Sequence, residues 1–103
     1  MGFLPSEELV IRGHRVKQGT QAEDWLWLWS ALLDRIWQYE KAVKMNERAF
    51  DDLGGPLNQS ALILRSGYAG VIQTYDVVIA DLRSLADQIL ENVLKSDGYL
   101  GPD

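Results

Sequence analysis

The chain has no cysteine, one histidine and three prolines among its 103 residues. Without cysteine there is no disulfide framework and no thiolate metal site. No apolar run approaches the roughly 18 residues that cross a bilayer, so no membrane span is expected. Basic residues are in the minority, 10 against 15 acidic, for a net charge of −5. That balance disfavours nucleic acid as a partner, because phosphate binding needs a basic face. Residues 1–8 have neither a basic n-region nor an apolar h-region, so no conventional secretory signal is expected. What the chain does have is 47% hydrophobic and 24% charged residues, the balance of one folded domain.

The same scarcity extends to catalytic chemistry. His14 is the lone histidine, and none of the serines at 6, 30, 60, 66, 84 and 96 stands in a nucleophile elbow. Gly54-Gly55 is followed by Pro56-Leu57-Asn58, without the Lys-Ser/Thr that grips phosphate. The carboxylate doublets Glu7/Glu8, Glu23/Asp24 and Asp51/Asp52 sit where helix starts and turns use them for capping and solvation. Arg83, Asp87, Glu91 and Lys95 stand four apart, the spacing of a solvated i,i+4 charge ladder. Asp87 and Glu91 have no third ligand to complete a metal site. No enzyme activity, cofactor or metal is expected.

Apolar periodicity is the dominant positive signal. Thr20-Gln21-Ala22-Glu23 has the form of a capping box. From Ala22 the apolar positions run Trp25, Trp29, Leu32, Ile36, Tyr39 and Val43, then a polar break at Asn46, then Phe50. Alternating steps of three and four are a helical heptad. The pattern predicts a helix over 20–52, a turn at 53–56 built on Gly54, Gly55 and Pro56, and a second helix over 57–97. On the second helix the seam reads Leu57, Ala61, Leu64, Tyr68, Val71, Tyr75, Val78, Leu82, Leu85, Ile89, and Ile72, Ile79, Ala86 and Val93 form a row beside it. Gly67 and Gly70 interrupt that helix, marking either a kink or a close backbone approach, and Gly98 ends it. Residues 1–19 read as a short helix, a strand-like arm or a partly mobile leader, and 98–103 as a tail.

The expected fold class is all-α: an antiparallel two-helix hairpin with an N-terminal arm. One hairpin has too little surface to cover a second apolar row on each helix. Leu26, Leu33, Ile72, Ile79 and Val93 are therefore assigned to a partner interface, and two chains are expected to form a four-helix bundle. Trp27 lies on the polar face with Asp34, Lys41 and Arg48, and Trp37 lies near Ser30, Lys41 and Lys44. Both tryptophans are either surface aromatics or partner anchors.

The size, the two long helices, the Gly-containing central turn and the terminal Tyr99-x-x-x-Asp103 together resemble the small helical-hairpin proteins of type VII (ESX) secretion, the WXG100 superfamily and its EspC-like branch. The resemblance covers about residues 20–103. In place of the family's Trp-x-Gly turn this chain has Leu53-Gly54-Gly55. The resemblance implies a homodimer or a heterodimer with another helical hairpin, contact with a larger secreted protein, and export without a cleaved signal. It also implies that Tyr99 and Asp103 serve as the secretion motif. The alternatives are a cytoplasmic adaptor or chaperone that pairs with a helical segment of a larger protein, and a structural assembly subunit.

Overall fold

The computed structural model describes residues 7–53 and 59–103. Gly54, Gly55 and Pro56, together with Leu57, lie outside the described residues. The elements run β1 (Glu8–Ile11), β2 (His14–Lys17), α1 (Gln21–Asp52), α2 (Gln59–Lys95) and β3 (Tyr99–Pro102). The two packed antiparallel helices are present. The purely helical class is corrected, because the arm and the tail are strands. The chain divides into two compact units. A sheet unit comprises the described residues up to Asp34 together with Ser84–Asp103, and a hairpin unit comprises Arg35–Arg83.

The sheet unit begins with a β-hairpin of tight register, Glu8 opposite Lys17 and Ile11 opposite His14. Arg12 and Gly13 form its two-residue turn with φ of 48° and 82°. Two consecutive positive φ values are what a type I′ turn demands. Arg12 is an unusual residue there, and its guanidinium reaches Ser30 Oγ at 2.8 Å and the Asp34 carboxylate. β3 pairs antiparallel with β2, with a bulge opposite Arg15 and Val16 and with Gly101 at φ 111°. Alternation along the strands turns Leu9, Ile11, His14 and Val16 to one face. Ile11 and Val16 pack with Ala22 and Leu26 of α1 and with Val93 of α2, flanked by Leu9, Trp25, Trp29, Leu90 and Tyr99. On the opposite face Arg15 donates to Glu8 at 3.1 and 3.2 Å. This contact, first as a hydrogen bond and then through charge, holds the Glu8 carboxyl below its usual range and raises Arg15.

The start of α1 differs from a simple capping box. Thr20 Oγ1 donates to the Lys17 carbonyl at 2.6 Å, and Glu23 reaches back one residue further, accepting the Gly19 amide at 2.7 Å. The Ala22 amide, an orphan donor of the first turn, donates to the Asp97 carbonyl at 3.3 Å. Gly98, at φ 96°, passes so close to Thr20 that any Cβ would overlap that side chain. Its carbonyl accepts the Lys17 amide at 2.8 Å. One glycine thus joins the end of α2 to β2 and to the start of α1.

Among the described residues the hairpin unit is held by helix–helix contact. The rings of Tyr39 and Tyr75 stack tilted at 5.5 Å, and the Arg65 guanidinium lies 4.3 Å over Phe50. Arg83 pairs with Glu40. Ile36, Val43 and Ile79 are its buried residues. Asn46, the polar break in the heptad, donates from its side-chain amide to the Ala42 carbonyl at 2.8 Å, which satisfies it within its own helix.

Candidate interaction surface

The expected seam of α1 turns inward throughout: Ala22, Ile36 and Val43 are buried, and Trp25, Trp29, Leu32, Tyr39 and Phe50 are half-buried. On α2 the expected seam divides. Ile89 of the seam and Ile79, Ala86 and Val93 of the row beside it are buried, Tyr68, Tyr75, Val78 and Leu82 of the seam are half-buried, and Leu64, Val71 and Leu85 of the seam are 52%, 41% and 44% exposed. The Leu64, Val71, Val78, Leu85 half of the seam and the Ile72, Ile79, Ala86, Val93 row flank the Tyr68, Tyr75, Leu82, Ile89 half on opposite sides by about one-seventh of a turn, so periodicity favours neither flank as the inward one.

The observed burial corrects most of the expected partner interface. Leu26 and Val93 are fully buried beneath Ile11 and Val16, because the two N-terminal strands supply the cover first assigned to a second chain. Ile79 is buried, and Ile72 and Leu33 are half-buried, within the same chain. Trp27 and Trp37 remain on the surface at 52% and 63% exposure. The Trp27 indole donates to Glu23 Oε2 at 2.9 Å, and Lys41 Nζ stands 5.3 Å from the Trp37 ring centroid. Two donors, the Gly19 amide and then the Trp27 indole, hold the Glu23 carboxyl below its usual range.

The outer face of α2 in the hairpin unit was not singled out by the sequence pattern as a surface. Between Gln59 and Ala80 it carries Ile63, Leu64, Val71 and Val77, all exposed, with Gly67, Gly70 and Thr74 between them. A shallow groove of about 680 Å³ runs along it, lined by Gly67, Gly70, Val71, Thr74, Tyr75 and Val78, with Tyr39 on its far side. A Cβ added to Gly67 or Gly70 would meet nothing within 4 Å. Neither glycine is thus required by packing among the described residues, although each costs a helix up to about 1 kcal/mol.

The tail residues are built into the fold. Tyr99 lies opposite Val16, and its hydroxyl is 2.9 Å from His14 Nδ1. The His14 ring meets Trp29 edge-on at 5.2 Å. Asp103 is exposed, and its backbone amide donates to the Gly13 carbonyl at 2.7 Å.

Comparison with known proteins returned no match: no family model, curated protein or solved structure is significantly similar to this chain. Among the described residues no three His, Asp or Glu side chains cluster so as to hold a metal ion, and no helix is long and apolar enough to cross a membrane. The uncharged α2 face is the most developed surface feature of the described chain.

Proposed function

We propose that this protein is a non-catalytic helical hairpin that works by packing the outer face of α2 against a helix of another chain, and that it is carried by or associated with a type VII (ESX-like) secretion system. The observation that carries the interaction half of this reading is the uncharged apolar strip from Ile63 to Val78, exposed along almost its whole length. Contiguous apolar strips of this kind mark interaction sites. The secretion half rests on the resemblance in size, helical layout and the Tyr99-x-x-x-Asp103 terminus. Completing a four-helix bundle with a second hairpin covers the strip in the simplest way.

The secretion half is tested at Asp103 and not by deleting the tail. Removing 99–103 would strip a strand from the sheet and confuse misfolding with loss of recognition. Asp103→Ala keeps the backbone amide that bonds Gly13, so the sheet stays intact. In a host with an ESX-like system, the expected result is normal intracellular level and loss of export. Export equal to that of the unaltered chain, or no export of either, overturns the secretion reading.

A further inference from the structure

We infer that the occupant of the α2 groove is a second copy of this chain, with its α2 running antiparallel across a two-fold axis between Gly70 and Val71. The inference rests on the interaction half of the proposed function and names the surface, the partner and the orientation.

A two-fold interface must be self-complementary: where residue i meets j, j meets i. For antiparallel copies centred between 70 and 71, each residue meets the one whose number completes 141. The α2 strip, exposed except at half-buried Val78, is closed under that rule. Gly70 meets Val71, Gly67 meets Thr74, Leu64 meets Val77 and Ile63 meets Val78, while Ser60 meets Asp81 at the rim. At the centre each glycine therefore receives a β-branched side chain, larger apolar ones flank that pair, and polar ones close both ends. That is the core-and-rim arrangement of specific interfaces.

Charge points the same way. The whole chain carries −5, so two copies repel at long range. Yet this face bears no charged side chain from Gln59 to Ala80, so no like charges are forced together at the contact. A strongly basic or acidic partner helix would find no counter-charge on it. The glycines complete the case. Gly67 and Gly70 have ordinary helical backbone and empty space beside them, so nothing among the described residues calls for glycine. A backbone approaching from outside does.

The experiment is sedimentation equilibrium of the full chain, alone and as three variants. The unaltered protein is expected to be a dimer of its 11.6 kDa chain. Val71→Glu places two like charges beside the axis and is expected to weaken the dimer by about 100-fold or more. Since Val71 is exposed in the single chain, helical content should persist. Gly67→Ala and Gly70→Ala give the sharper reading: each should raise the melting temperature of the dissociated chain by removing a helix-weakening glycine, yet weaken the dimer about tenfold. The absence of native cysteine supplies an orientation test. A mixture of Gly67→Cys and Thr74→Cys chains should cross-link to a mixed disulfide faster than either chain links to itself. A monomer at high micromolar concentration overturns the inference, including the case in which the face captures a different chain. A dimer indifferent to Val71→Glu overturns the surface while leaving the dimer reading standing. Faster self-linking by the Gly67→Cys chain overturns the antiparallel orientation.

Discussion

The two units use the same pair of helices and solve the burial problem differently. In the sheet unit, three short strands lie over the helices, and Leu26, Val16 and Val93 are sealed from water. Among the described residues of the hairpin unit no strand covers the helices, and Ile63 and Val77 stand 65% and 58% exposed. The contrast shows that a heptad pattern specifies how much apolar surface a helix must hide, and not what hides it. One end of this chain supplies its own cover. The other leaves a face open, which is why the proposed contact falls on residues 63–78 and not on Leu26 and Val93.

The contrast can be broken most severely at Gly98. Gly98→Ala combines an unfavourable positive φ with overlap on Thr20, and is expected to destabilise the protein by roughly 4 kcal/mol. A lower urea midpoint would register it, and adding Thr20→Gly, which removes the overlapping Cβ as well as Oγ1 and Cγ2, should recover the steric part while the backbone strain persists. If the single substitution leaves the midpoint unmoved, the junction of α2, β2 and α1 is not what seals the sheet unit. A matched pair of truncations comes next. Leu26→Ala should cost about 3 kcal/mol through an unfilled cavity. Leu64→Ala, read at concentrations where the chain is single, should stay within about 0.5 kcal/mol. Equal costs would erase the distinction between the covered and the open unit.

The smallest effect is acid. Glu23 and Glu8 both belong to the sheet unit, and both carboxyls sit below their usual range in the folded chain. A depressed folded value means that the stabilisation is complete above the unfolded glutamate pKa and is lost as pH falls through the folded one, from about pH 5 downward. Methyl NMR signals of Leu26 and Val93 should therefore report loosening at a higher pH than that of Ile72, and Glu23→Gln should narrow the gap. Simultaneous loosening of the two units would count against this account.

The hairpin was legible in the sequence because steps of three and four repeat across more than eight turns. The two N-terminal strands were legible only as one of three options for residues 1–19, and the third not at all. Each is four residues long, too short for a period to register, and β3 gains its meaning only from pairing with residues far away in sequence. The turn between β1 and β2 hid for a related reason: Arg12 occupies a position where Asn, Asp or Gly usually announces a type I′ turn. Its reward is tertiary, a guanidinium anchored on Ser30 and Asp34. The inward face of α2 was ambiguous because Leu64, Val71 and Val78 are as apolar as Ile72 and Ile79. Only the observed packing separates them. Trp27 and Trp37 were legible as surface residues, since their helical neighbours are charged.

The 85-residue separation between His14 and Tyr99 has a consequence in time. Contacts between neighbouring turns of α1 and α2 form after short chain closures, whereas the third strand must find its place across nearly the whole polypeptide. The hairpin unit should therefore assemble early, and the sheet unit should lock last. In refolding, helical circular dichroism would then recover before the near-ultraviolet signal of the Trp29 and Tyr99 surroundings.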